Sequence, residues 1–493
     1  MGKRRITLIL ERERMSNMKR YALYVDGHWV EHGSSVLDVH NPATGDVVGS
    51  VPTASRAMVR NAIDAAYRAL ASWSSMPAGQ RAELLTRVAT RIRNDVDRLA
   101  RVLTMEQGKP LAEARGEMNI SADYFQWNAE EAKRVYGEII PASVSDKRLL
   151  AIRQPVGVAA SITPWNFPAS MIARKVAPAL AVGCPVVIKP ASTTPLSALE
   201  LVRICDEVGI PQGVINVIVG NASEIADEFV SNPKVRKISF TGSTEVGQNL
   251  MRAAATDLKR ISLELGGHAP FVVLDDADLD QAVQGVVASK YRNAGQTCIC
   301  ANRLYVQRPV YEEFGRRLAQ AVGSLKVGNG IEPHADVGPL IDESALLKVE
   351  RQVADAVKRG GRVMVGGERP DLSTTGSFYL PTVITDLPHD ALLAQEETFG
   401  PLLGMWPFDT DDEGVQLANN TPYGLAAYFY GRDLGRITRM YEALEYGIVG
   451  VNDPVPTVVQ APFGGVKHSG FGREGGHQGL DEYLDWKFVS IHL

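Results

Sequence analysis

Three short segments carry residue types that could transfer an acyl group. In Asn293-Ala294-Gly295-Gln296-Thr297-Cys298 a thiol follows a glycine-containing turn, the kind of loop on which nucleophiles sit. A buried structural cysteine is the commoner fate of that residue type. In Glu264-Leu265-Gly266-Gly267 a carboxylate closes an apolar run beside two glycines that leave room above it. Alone it would be an ordinary exposed glutamate. In Thr163-Pro164-Trp165-Asn166-Phe167-Pro168 a neutral amide stands between two prolines that stiffen the loop. A rigid Asn can donate to a developing oxyanion, or simply cap a turn. The nine histidines show no ligand spacing such as HExxH, and this chemistry requires no metal.

Strand and helix patterns place these segments. Apolar residues recur at helical spacing from Val59 to Trp73, and Glu83 to Val102 continues in the same style, so the first hundred or so residues read as helix-rich. After Arg148 come short apolar runs, Val156 to Ile162, Pro185 to Ile188, Ile215 to Val219, Lys237 to Phe240 and Phe271 to Leu274. They alternate with helices such as Ala198 to Val208 and Ser223 to Val230, which predicts a parallel sheet covered on both faces. From Asp275 the pattern begins again: a helix from Leu279 to Val287, an extended run from Arg303 to Val306, and a helix around Val310 to Leu325. This predicts a second α/β lobe. A glycine-rich region, Pro462 to Gly476, precedes the tail YLDWKFVSIHL, an apolar strand expected to serve as a subunit contact. No internal repeat is found.

A chain of 493 residues predicts about three domains or lobes. With 52 basic against 57 acidic residues, a net charge of −5 leaves no cationic excess for a nucleic-acid partner. Four cysteines, Cys184, Cys205, Cys298 and Cys300, are too few to staple the chain, which points to a reducing, cytoplasmic setting. The uncharged stretch from Gln154 to Ala173 contains Pro155, Pro164, Pro168 and Asn166 and is rejected as a membrane helix. The opening MGKRRITLILERERM reads as a tail, or as residues ahead of a start at Met15 or Met18, rather than a signal peptide.

TPWNFP, KPAS, FTGST, ELGG, GQTC, EETFGP and PFGG follow one another over about three hundred residues, an order that resembles the aldehyde dehydrogenase superfamily from about Val25 onward. KYRNAGQTCICANRLYVQ, SLELGGHAPFVV, VGPLID and ALEYGIVGVN look like its succinate-semialdehyde dehydrogenase subgroup. The resemblance implies an α/β fold with a Rossmann-type cofactor domain (21–139 and 157–264), an α/β catalytic domain (265–479) and a small β oligomerisation element (140–156 and 480–493), after a tail at 1–20. It makes Cys298 the nucleophile, Glu264 the general base and Asn166 the oxyanion donor. It implies NADP or NAD as cofactor, a small aldehyde as substrate and a homodimer or homotetramer as the working form. No GxGxxG follows an early strand, and the family's alternative is Gly242-Ser243 at the start of the helix Glu245 to Ala255, whose N–H groups can face a pyrophosphate. Read alone, this would be a plain turn with Ser243 as cap.

By the same resemblance Lys189 reaches the adenosine ribose, and Trp165, Glu397 and Phe399 belong to the cofactor site. Ser192 stands where NAD-specialised members often carry Glu, which removes a repulsion toward a 2′-phosphate; the alternative is that Ser192 caps the helix near Pro195. Arg174 and Arg292 are expected to clamp the distal carboxylate of a semialdehyde, or else to make surface salt bridges. A cysteine esterase would use Cys298, Glu264 and Asn166 too, but would leave the cofactor motifs without purpose. His268 after ELGG and Asn452-Asp453-Pro454-Val455-Pro456 depart from the family pattern, and Cys300 could pair with Cys298 or stay inert.

Overall fold

The computed structural model describes residues 19–372 and 375–493, so the expectations for residues 1–18 lie outside it. Helix Arg56–Ser75 shows why the N-terminal part is helical. Ser55 accepts the N–H of Met58 at its start, and Val59, Ala62, Ile63, Ala66, Ala69 and Trp73 form its buried stripe. Truncating a buried aromatic such as Trp73 to Ala would cost about 3–5 kcal/mol. The run from Glu83 to Val102 is helical as expected and divides into two helices, Ala78–Asn94 and Val96–Gln107. The break falls at Asp95, whose carboxylate is taken by Arg91 and Arg98; a short acid held beside the backbone favours a turn over a helix interior.

Two sheets organise the rest. The first has eight strands in the order Gly470–Phe471, Arg260–Glu264, Val235–Thr241, Val158–Ile162, Val186–Lys189, Ile215–Val217, Leu23–Val25, His28–Val30. Its five central strands are parallel and its edges antiparallel. The second has seven strands, Arg362–Val365, Thr382–Thr385, Leu402–Phe408, Ala301–Gln307, Ala269–Val273, Ala426–Tyr430 and Ile448–Val451, all parallel except the first. Each carries its own apolar core, the first drawn mostly from residues before Leu265 and the second from Ala269 to Phe463.

The uncharged stretch from 154 to 173 becomes strand Val158–Ile162, the Asn166 loop and the start of helix Ser170–Val182, all of whose residues are buried. Its continuous hydrophobicity follows from being enclosed by protein on every side. Among the described residues no helix is long and apolar enough to cross a membrane. The C-terminal strand Leu484–His492 finds its partner far away in sequence. It pairs antiparallel with Lys147–Pro155, which also pairs with Glu138–Ile140, in a three-stranded sheet that exposes Ile139, Trp486, Phe488 and Ile491.

Candidate active site

The carboxyl ends of the first sheet's parallel strands gather the motifs read from the sequence. Glu264 ends one strand and lies in register with Thr241, which leads into Gly242 and Ser243. Ile162 pairs with Lys189, so the Asn166 loop and Lys189 leave the same edge. In open parallel sheets ligands bind outside this edge. The second lobe brings loops that lead into its strands: Cys298 precedes Ala301–Gln307, and Glu397 and Phe399 precede Leu402–Phe408.

The Cys298 loop depends on an unusual backbone. Asn293, Ala294 and Gly295 have φ of 52°, 54° and 73°, a left-handed run that costs energy at the first two and is held by surrounding contacts. A Cβ at Gly295 would meet the Gly400 carbonyl oxygen at 2.1 Å, and one at Gly267 would meet the Cys298 carbonyl oxygen at 2.5 Å. The second glycine of ELGG therefore lets the thiol loop reach the end of the Glu264 strand. The Asn166 amide donates from Nδ2 to the Gln296 carbonyl at 3.1 Å, joining the two loops and leaving its second N–H free of that bond.

Burial pushes the Cys298 thiol up to about 12, with the Arg174 charge pulling the other way. All four cysteines are free thiols, and Cys300 points its Sγ at the Gly295 carbonyl oxygen, 3.2 Å away. Glu264 is buried and neither of its carboxylate oxygens has a hydrogen-bond partner. Its pKa stands well above the ordinary carboxylate value because of burial first and the Glu474 charge second, against attraction from Arg174 and Lys175. An unpaired carboxylate with a raised pKa in a cleft is a candidate for proton transfer.

Two cavities meet at the thiol. One of about 290 Å³ is lined by Cys298, Arg174, Arg292, Tyr124, Phe463 and Thr457 among others. Arg174 and Arg292 thus share it, as the loop spacing implied, but in different states. Arg174 donates from Nε to Glu474 at 2.7 Å and lies 3.9 Å from the centre of the Phe463 ring, a buried pair rather than a surface one. Arg292 makes no ion pair among the described residues; its Nε has no partner and its guanidinium lies 5.5 Å from the Phe167 ring centre. Lys175, next along the helix, is also paired with Glu474.

The other cavity, about 280 Å³, is lined by Cys298, Trp165, Asn166, Gly242, Ser243, Glu397, Phe399 and Lys348 among others. Trp165 and Phe399 meet edge to face at 5.5 Å. Glu397 accepts the Gly267 N–H at 2.9 Å. Ser243 caps helix Thr244–Ala254 by accepting the N–H of Val246 at 3.4 Å, so the cap coexists with a helix start that faces this cavity. Thr241 and Thr398 hydroxyls are buried without partners at its edge, and the Lys189 ammonium is buried, its pKa lowered by desolvation alone. Unpartnered donors around a helix start suit an anionic, hydroxyl-rich dinucleotide.

Ser192 does not cap the helix Leu196–Glu207. Glu106 accepts the N–H groups of Leu196 and Ser197 there, while Ser192 Oγ reaches toward the Gly220 carbonyl at 3.5 Å. His268 is a buried structural residue with Nε2 3.0 Å from the Ala394 carbonyl oxygen, held neutral by burial. Sequence reading missed Glu474, Lys175, Thr457 and Lys348. Glu474 lay inside the glycine-rich 462–476 stretch, and a charged residue among glycines was the one available signal.

A half-buried thiol lies where two such cavities meet between two α/β lobes, an arrangement that fits an NAD(P)-dependent oxidoreductase. The chain belongs to the aldehyde dehydrogenase family, whose model matches residues 29–489. It is 52% identical to the NADP(+) succinate-semialdehyde dehydrogenase of Escherichia coli (strain K12), over 97% of this chain and 99% of that one. It is 51% identical to a glutarate-semialdehyde dehydrogenase of Pseudomonas aeruginosa, over 96% and 98% of the two. The crystal structure of an E. coli NADP-dependent enzyme superposes with a TM-score of 0.95 at 51% identity, covering 97% of this chain and 99% of that one.

Proposed function

We propose that the protein oxidises succinate semialdehyde, or a closely related carboxylated semialdehyde, to the dicarboxylic acid, with NADP or NAD as hydride acceptor. The observation that carries this reading is the pair of arginines in the cavity that ends at Cys298, one of them without an ion-pair partner. A guanidinium recognises a carboxylate through paired, charge-assisted hydrogen bonds. Cys298 Sγ adds to the aldehyde carbon, and the oxyanion of the thiohemiacetal is met by the Asn166 amide and the Cys298 backbone N–H. NADP or NAD, when bound, accepts the hydride whose departure leaves a thioester. Glu264 takes a proton from the water that hydrolyses the thioester, releasing the acid and restoring the thiol.

Gly242, Ser243 and Lys189 would hold the phosphates and adenosine ribose, Ser192 would leave room for a 2′-phosphate, and Trp165, Glu397 and Phe399 would hold the nicotinamide end. In this reading residues 21–139 and 157–264 form the cofactor domain and 265–479 the catalytic domain. Segments 140–156 and 480–493 join copies into a homodimer or homotetramer working in the cytoplasm. The test is absorbance growth at the reduced-nicotinamide band with a panel of aldehydes and each cofactor. Higher kcat/KM for succinate semialdehyde than for glutarate semialdehyde and butyraldehyde supports the assignment; preference for the uncharged aldehyde overturns it.

A further inference from the structure

The turn Gly108-Lys109-Pro110 joins helices Val96–Gln107 and Leu111–Glu131 and carries a fully buried lysine. Lys109 Nζ donates to Glu117 Oε2 at 2.6 Å and to the Asn166 backbone carbonyl at 2.8 Å, and it lies 3.8 Å from the centre of the Phe167 ring. The other oxygen of Glu117 accepts the N–H groups of Ala169 at 2.9 Å and Ser170 at 3.2 Å, where helix Ser170–Val182 begins. One ion pair thus holds the Asn166 loop at its middle and at its C-terminal end. The nucleophile loop is held by the same segment. Gln107 Nε2 donates to Asn293 Oδ1 at 2.9 Å, and the Asn293 N–H goes to Glu113 Oε2 at 2.9 Å. Asn293 Nδ2 in turn donates to the Asn166 carbonyl at 3.0 Å.

We propose that Lys109 and Glu117, the latter also part of the wall of the arginine cavity, are positioning residues for the oxyanion step, fixing the Asn166 amide against Cys298. The inference rests on Asn166 as the oxyanion donor. A buried ion pair adds little stability over an apolar pair of the same size, so stability is a poor reason for its presence. Geometry is a better one: the pair supplies three hydrogen bonds, one at Asn166 and two just after Pro168, to a loop stiffened by Pro164 and Pro168. A misplacement of about 1 Å in a catalytic group can cost about a hundredfold in rate.

The test compares wild type, Lys109→Met/Glu117→Gln, Asn166→Ala and the triple variant. The double variant removes both charges together and avoids leaving one buried and unpaired. The readouts are kcat for aldehyde oxidation at saturating cofactor, NADPH affinity by fluorescence, Cys298 alkylation by iodoacetamide, and the thermal midpoint. The expected double variant loses about ten- to a hundredfold in kcat while NADPH affinity and alkylation, which need no oxyanion donor, stay within about twofold. The triple variant is then no slower than Asn166→Ala within about twofold, because both changes act on one group. Losses that multiply in the triple variant, or alkylation and NADPH binding that fall in step with kcat, overturn the positioning role. Near wild-type kcat in Asn166→Ala overturns the oxyanion reading itself, and this inference with it. If the double variant does not fold, Lys109→Gln, which leaves Glu117 its two N–H donors at the helix start, runs the same cycle with a smaller expected loss.

Discussion

The two cavities that meet at Cys298 are built from different materials. The arginine side relies on side-chain charge: Arg174, Lys175 and Glu474 form a buried cluster, Arg292 stands apart from it, and Tyr124 and Phe463 supply apolar walls. The other side relies on backbone and unpartnered polar atoms: the start of helix Thr244–Ala254, the Thr241 and Thr398 hydroxyls, and two aromatic rings. A charge-built cavity discriminates by single side chains, since losing one charge changes what anion is tolerated. A backbone-built cavity recognises a shape common to many chains.

Cys298 belongs to both sides, so its loss should be the largest. Cys298→Ser is expected to lower aldehyde oxidation by at least about a thousandfold, and substantial hydride transfer by that variant would remove the nucleophile assignment. Glu264→Gln comes next: a burst of reduced cofactor followed by turnover slowed by about 10²–10⁴-fold, seen by stopped flow. A uniformly slow trace would place Glu264 in thiol activation as well.

The arginines sharpen the comparison, because the structure separates them. Arg292→Ala should cut kcat/KM for succinate semialdehyde by about ten- to a hundredfold and change butyraldehyde little. Arg174→Ala should hurt both aldehydes and lower the thermal midpoint, since deleting one partner of a buried pair costs about 3–5 kcal/mol. Equal behaviour of the two variants would erase the distinction drawn from their partners. On the cofactor side Ser192→Glu is expected to raise the KM for NADP by about tenfold while that for NAD moves little, through repulsion of a 2′-phosphate. Equal shifts would show that Ser192 does not approach that ribose.

The smallest effect is a shift in pH. Glu264 must be ionised to act as base, and its raised pKa means that the activity it supports grows as pH rises through that value. Glu474→Gln removes a neighbouring negative charge and leaves Arg174 and Lys175 less neutralised, and both changes favour the ionised form of Glu264. The acid limb of the kcat profile should move to lower pH; movement to higher pH would show that Glu474 does not raise Glu264.

Much of the architecture was legible because parallel strands buried on both faces are unbroken apolar runs. Those around Ile162, Ile188, Ile215, Phe240 and Phe271 all appear within a few residues of their expected limits. The break at Asp95 within the helix-rich region was not legible, because apolar periodicity alone does not register a side chain held by two arginines. The motifs at 163–168, 264–267 and 293–298 were visible as residue types, and chain order placed them near loop ends. Their convergence was not visible. It depends on the carboxyl edge of one sheet facing the amino edge of another, and on glycines such as Gly267 that let two loops touch.

The sequence by itself determined which residue types are present, the periodicities of strands and helices, and the family these imply. The tertiary structure decided which charges are paired. Arg174 and Arg292 are equivalent as letters, yet one is bound to Glu474, 300 residues away, and the other is not. Pairing of this kind is a matter of a few ångströms between segments remote along the chain, and local propensity carries no record of such distances.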